Sequence, residues 1–166
     1  MANSFYMDAS ALTKRYIPEK GNDLVDEIFN KVPWTRIHFL NIGAGEILSV
    51  LVRRRNAGAL SIANFEQAMA NFNDEIVRWA AVTRASVTTR LVAKSLPLIP
   101  VHSINSTDAL TLQSALAIAR RLRRPGDDLV LIASDQRLLR AAQAEGMATF
   151  DPETQDQAAL AGMIGP

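Results

Sequence analysis

Leu129-Val130-Leu131-Ile132-Ala133-Ser134-Asp135 is an unbroken apolar run that ends in a hydroxyl and an acid. A strand that is apolar on both faces, without alternation, is covered by helices on both sides, as in a parallel sheet. A helical stretch, Gln136–Glu145, follows at once, and Gly146 ends it. Ser4–Met7 repeats the pattern at the other end of the chain: a short apolar strand, then Asp8, then a helix from about Ser10 that stops before Pro18. Strands alternating with helices define an α/β fold with a mainly parallel central sheet. Ligands of such folds bind outside the carboxyl ends of the strands. Asp8 and Asp135 both fall on that edge.

The remaining elements are read from periodicity and punctuation. Gly21-Asn22-Asp23 caps a helix whose apolar face is Leu24, Val25, Ile28 and Phe29, and Arg36–Leu40 is a second strand. Glu46–Arg55 is helical and ends at Gly58. Ser61 caps the next helix, whose apolar residues Ile62, Phe65, Met69, Phe72 and Ile76 recur in steps of three and four. A third strand is expected around Trp79–Val82, then a helix from Val87 to Lys94. Pro97 and Pro100 make Leu98–Val101 a loop, since proline cannot donate to a ladder. Asp108–Leu122 is a long helix, and Ala148–Phe150 is the last strand. The chain after Asp151 is expected to be weakly structured.

A chain of 166 residues suits one domain with a packed core, and 48% apolar residues support it. Its apolar runs are too short to span a bilayer. Asp8 interrupts what would be a secretory signal. With no cysteine, thiolate metal sites and disulfides are excluded and a cytoplasmic location is expected. His38 and His102 are the only imidazoles, too few for a His-rich zinc site. Net charge is +1, but the cations cluster in Arg53–Arg55 and in Arg120, Arg121, Arg123 and Arg124. Each block alone reads as a solvated helix end, where cations favour the dipole.

Four acids adjoin apolar elements: Asp8, Glu46, Asp108 and Asp135. Singly, each reads as a helix cap, a strand end or half of an ion pair. As a set they are costly to hold together. Unit charges about 4 Å apart repel by on the order of 4 kcal/mol at a surface-like dielectric. Such a cluster takes up a cation, or a proton through a raised pKa. Hard oxygen donors suit magnesium or manganese, and the chemistry they support is metal-assisted hydrolysis.

The stretch Tyr6-Met7-Asp8-Ala9-Ser10-Ala11-Leu12-Thr13-Lys14-Arg15-Tyr16-Ile17-Pro18-Glu19 resembles the opening of PIN-domain ribonucleases, in particular the VapC-like toxins of type II toxin–antitoxin systems. Gly45–Leu51, Asp108–Leu116 and Ser134–Leu139 agree in the same order, so the resemblance covers about residues 4–152. It implies a three-layer α/β/α PIN-like fold, a nuclease domain over 1–152 and a C-terminal tail over 153–166. It implies a ribonuclease dependent on Mg2+ or Mn2+. Asp8, Glu46, Asp108 and Asp135 would be its catalytic and metal-binding residues, with Ser10 and Ser134 supporting them. The chain departs from the pattern in its glycine-rich segment 41–45, in Thr111 where histidine is frequent, and in the proline-rich segment 96–105.

The resemblance further implies an RNA substrate, a cognate antitoxin and a homodimer, two-fold association being common. Lys14, Arg15, Arg53 and Arg137 are the expected RNA contacts, and no membrane partner is expected. Two other readings use the same residues: a catalytically inactive PIN-like binding module, and a solitary nuclease without antitoxin. A receiver domain is disfavoured because Asp8 lacks an acidic neighbour, and a dehalogenase-type phosphatase because Ser10 stands where a second Asp is needed.

Overall fold

The structure is a computed structural model that describes residues 3–78, 82–122 and 128–165. Its centre is a five-stranded, wholly parallel sheet. The strands are β1 (Ser4–Met7), β2 (Ile37–Leu40), β3 (Thr83–Ala85), β4 (Leu129–Ile132) and β5 (Ala148–Phe150), in the spatial order β3-β2-β1-β4-β5. The chain winds outward from β1 in one direction through β2 and β3. It then returns to the other side of β1 for β4 and β5, so the order reverses between β1 and β4. Register pairs Met7 with Ile132, and the Asp8 amide donates to the Ile132 carbonyl (2.9 Å). The residues that follow β1 and β4 are thereby neighbours at the switch point, where α/β sheets bind ligands.

Side-chain alternation builds the two outer layers. Phe5, Met7, Ile37, Phe39, Val130 and Ile132 face one side. That side is covered by α1 (Ala9–Leu12), α2 (Asn22–Lys31), α3 (Ile42–Asn56), α4 (Ile62–Phe72) and α9 (Gln157–Ile164). Tyr6, Leu40, Leu129, Leu131 and Ala133 face the other. There lie α5 (Thr89–Ser95), α6 (Leu98–His102), α7 (Ser106–Leu122) and α8 (Gln136–Ala144). This is the expected three-layer, PIN-like α/β/α architecture. The stripe of α4 is core where it meets the sheet side: Phe72, and Ile76 in the helical turn that follows, are buried and Phe65 and Met69 half-buried, whereas Ile62 is exposed. Among the described residues no helix is long and apolar enough to cross a membrane.

Four expectations need correction. The third strand is Thr83–Ala85, not Trp79–Val82; residues 79–81 lie outside the described residues. As a short, largely exposed edge strand it needs no apolar run, so composition did not mark it. Residues 98–102 form a helix rather than a loop. Pro97 sits at its N-cap and Pro100 within its first turn, where a missing N–H costs nothing because that N–H has no intrahelical partner. The helix α3 begins at Ile42, so the glycine-rich segment is helical and Glu46 stands one turn inside it. Finally, the C-terminal segment holds α9. Asp156 caps it by accepting from the Ala159 amide (2.9 Å), and Leu160 is fully buried in the core beside α2.

Candidate active site

Asp8 is the N-cap of α1, which starts as soon as β1 ends. Its Oδ2 accepts from the Ser10 amide (2.9 Å) and from the Ser10 hydroxyl. That hydroxyl in turn accepts from the backbone amide of Ser134 (3.0 Å). Ser10 thus ties the end of β1 to the end of β4 and holds the Asp8 carboxylate between them. Ser134 acts through its backbone, and its own hydroxyl is buried without a partner. Asp135 caps α8, its Oδ1 accepting from the amides of Arg137 (2.8 Å) and Leu138 (3.2 Å).

Asp108 is not a cap. Asn105 holds that place, its side-chain oxygen accepting from the Asp108 amide (2.8 Å). Asp108 sits in the first turn of α7, 9% exposed, with its Oδ2 buried and without a hydrogen-bond partner. A buried acceptor left unpaired is costly. No structural role accounts for it, which separates Asp108 from the two capping aspartates.

All four acids line one open cleft of about 610 Å³, with Ser10, Thr13, Ser49 and Arg53 among its other walls. Three of these carboxylates feel the charge of at least one other. Burial raises the pKa of Asp8, the Ser10 bonds oppose the rise, and the Asp135 charge adds to it. Burial raises Glu46, helped by Asp8 and Asp108. Asp108 is pushed up to about 6 by burial and then by Asp8 and Asp135, with Asn105 acting in the opposite direction. A site that raises its own acids in this way favours the uptake of positive charge.

An oxygen-only donor set matches magnesium or manganese, and Asp108 Oδ2 is an acceptor in want of a partner. Among the described residues no three acidic or imidazole groups are gathered tightly enough to surround one ion. Magnesium does not require that, because it keeps several waters and is bound through one or two carboxylates. The residues present fit an ion held in that way.

The raised carboxylates have a sign that can be measured. Folded Asp108 holds its proton up to about pH 6, whereas the unfolded chain releases it near 3.8. Between those values the folded state binds more protons, so this site's contribution to stability falls as pH rises through the window. In chelator, Asp108→Asn is expected to flatten the fall and raise the melting temperature at pH 7.5 by about 3 °C. Thermal denaturation at pH 5 and pH 7.5 checks it, and a lower melting temperature at both pH values would refute it.

The expected RNA-contacting cations divide. Arg53 lines the acidic cleft, two turns along α3 from Glu46. Arg137 is exposed on the first turn of α8 but is not among the residues lining that cleft. Lys14 and Arg15 are engaged within the chain. Lys14 is buried and bonded to Glu19 (3.1 Å) and Glu153 (2.5 Å). Arg15 pairs with Asp26 (2.7 Å) and Glu75 (2.8 Å) and lies over the Phe29 ring. Both already have carboxylate partners. Of the Arg53–Arg55 block, Arg54 pairs with Glu19 (3.0 Å) and Arg55 stacks on Phe65, which leaves Arg53 for the cleft.

Sequence reasoning missed Thr13 and Ser49 as cleft walls; Ser49 follows Glu46 by one turn on α3, and Thr13 directly follows α1, the helix that Asp8 caps. It also missed Asp151. This buried acid accepts from Gln136 Nε2 (2.7 Å), the Glu153 amide (2.8 Å) and the Thr154 hydroxyl (3.0 Å), and so organises the loop after β5. Its place after an apolar strand was the available signal.

Fold and cleft together define a PIN-like α/β protein with an acidic site at the sheet's switch point. No family model and no curated protein matches the sequence. Solved structures do resemble it. FitAB bound to the IR36 DNA fragment is 13% identical, with TM-score 0.65 over 92% of this chain and 98% of that one. PAE2754 from Pyrobaculum aerophilum is 18% identical, with TM-score 0.60 over 93% and 94%. FitAcB from Neisseria gonorrhoeae is 13% identical, with TM-score 0.59 over 91% and 99%. At these identities the likeness is one of fold.

Proposed function

We propose that the protein is a metal-dependent ribonuclease and the toxin of a toxin–antitoxin pair. The observation that carries the nuclease reading is Asp108: a buried, unpaired carboxylate oxygen in a cleft shared with three further acids. One or two of Asp8, Glu46, Asp108 and Asp135 would ligate Mg2+ or Mn2+ directly, the remaining acids adding negative charge to the same cleft. When bound, the ion would supply Lewis-acid relief of phosphate charge and a more acidic water. The chain's own residues do the rest. Ser10 fixes the Asp8 carboxylate against the Ser134 backbone, so its orientation does not depend on substrate. Asp135 is fixed in the same way by the α8 amides. Glu46, half-buried on the cleft wall, has its pKa raised by burial and by the charges of Asp8 and Asp108, so it adds to the pull on a cation. Arg53 offers a cation to the phosphate backbone from the rim.

The toxin assignment is supported by the PIN-like fold, by the resemblance of segments 6–19 and 108–116 to VapC-like toxins, and by the structural neighbour FitAB, which was solved on DNA. A cognate antitoxin, an RNA substrate and a homodimer belong to this reading, with the cytoplasm as its place of action. The test is cleavage of an RNA panel by the purified protein, stopped by chelator and restored by Mg2+ or Mn2+. Cleavage that survived chelation would refute metal dependence. Thermal shift gives a second readout: at pH 7.5, Mn2+ at about 100 times its dissociation constant adds about 2.7 kcal/mol. Asp108→Asn is expected to lose most of that shift.

A further inference from the structure

Arg120 and Arg121, read from sequence as a solvated helix end, belong to a second concavity on the other helical layer. A groove of about 420 Å³ lies between α5 and α7, with Arg90 and Lys94 on one wall and Arg120 and Arg121 on the other. Among the described residues its lining contains no acid. Among the described residues none of these cations has an ion-pair partner, in contrast to Lys14, Arg15 and Arg54. Helical spacing explains the convergence: positions 113, 117 and 121 share one stripe of α7, and 90 and 94 one stripe of α5. Four cations gathered without a counter-charge are a site for an anion.

The floor narrows the choice of anion. Gln113 is only 7% exposed and lines the groove, and among the described residues its amide makes no hydrogen bond. An amide carries donors and an acceptor together, the pattern that matches a base edge. The carboxylates of an acidic peptide would call for donors alone. Ala85, Leu91, Ala117 and Ile118 supply apolar wall against which a planar ring can lie. The groove also begins beside the acidic cleft. Ala85, which lines it, accepts from the Asn41 amide (2.8 Å), and the next residue, Ile42, lines the cleft. That hydrogen bond connects the two concavities, Ala85 lining one and Ile42, next to Asn41, lining the other.

We infer that the α5–α7 groove binds one nucleotide of a single-stranded RNA. Arg90, Lys94 and Arg121 hold its phosphates and Gln113 reads its base. The choice of RNA as the polymer rests on the ribonuclease reading; the binding itself does not. Binding is measured by fluorescence anisotropy of a labelled oligouridylate on full-length Asp8→Asn protein in chelator, at several salt concentrations. Arg90→Ala with Lys94→Ala is expected to weaken binding about tenfold and to reduce the salt slope by about 0.7 per cation removed. Gln113→Ala is expected to weaken binding with the slope unchanged. Arg140→Ala, an exposed cation on α8, serves as control, and melting curves confirm that each variant is folded. Unchanged affinity and slope in the double variant, or an equal loss in Arg140→Ala, would overturn the proposal. So would polyglutamate binding that is sensitive to these variants when oligouridylate binding is not. Cleavage by the wild type is scored separately. Variant-sensitive binding without cleavage keeps the groove and rejects the nuclease, and cleavage with variant-insensitive binding does the reverse.

Discussion

Asp8→Asn is expected to abolish metal-dependent RNA cleavage while leaving the fold intact. The substitution keeps the shape of the side chain and the acceptor that Ser10 engages, so the cap of α1 survives. What it removes is the charge at the point where β1 and β4 meet. Loss of an outer-shell partner at a metal site costs roughly 10–100-fold, and loss of a direct ligand should exceed that. Stability should move the opposite way. Asp8 is buried, and its ionised form is disfavoured by burial and by Asp135. Neutralising it relieves that penalty, so the melting temperature in chelator should hold or rise. Cleavage rate and thermal denaturation on the same preparation check both halves. Unchanged cleavage in a folded Asp8→Asn protein would remove the nuclease reading. A collapse in melting temperature would show that the carboxylate is structural. Ser10→Ala separates orientation from charge: it keeps every acid but cuts the Asp8–Ser10–Ser134 link. It should reduce the rate by about 10–100-fold without changing which metals support cleavage.

How much of this was legible in the sequence depends on how local the signal is. The runs 4–7 and 129–133 are strands because only a strand covered on both faces is apolar without alternation, and the sheet uses them side by side at its centre. Asp8 and Asp135 then follow from topology. Glu46 and Asp108 do not. Nothing in residues 41–56 or 106–122 says that these helices bring their first turns to the same edge, so resemblance to a family had to place them. The structure puts both in the same cleft as the two aspartates. The cations show the converse. Lys14 and Arg15 stand beside the acidic motif in sequence and look available, but their partners Glu153 and Glu75 lie 139 and 60 residues away. Ion pairing over such separations leaves no local trace. The edge strand β3 and the proline-bearing α6 were missed for a related reason. Neither needs the composition that marks a central strand or a long helix, because exposure relaxes the first and the unpaired first turn tolerates Pro100 in the second.

Gly21→Ala is expected to be among the most destabilising single changes in the chain, at a residue far from any chemistry. Gly21 has φ +84°, a left-handed conformation that costs an L-residue roughly 1–2 kcal/mol. A Cβ there would also lie 2.2 Å from the carbonyl oxygen of Pro152, a backbone atom that cannot swing aside. Either the start of α2 or the loop after β5 must move. That loop carries Asp151, which gathers three donors, and Glu153, which holds buried Lys14. The close approach of Gly21 to Pro152 therefore pins the C-terminal segment to the domain and explains why the chain beyond 152 is folded rather than loose. Strain and displacement together should exceed about 3 kcal/mol, which is about 10 °C in melting temperature for a chain of this size. Gly58 supplies the internal comparison. Its φ of +71° carries the same backbone cost, but a Cβ there meets nothing within 4 Å. Gly58→Ala should lose only about 1 kcal/mol, or about 3 °C. Equal losses in the two variants would mean that the Pro152 contact yields at no cost and that the C-terminal segment is not held there. A several-fold larger loss at Gly21, with proteolysis appearing first beyond residue 152, is the result that the packing demands.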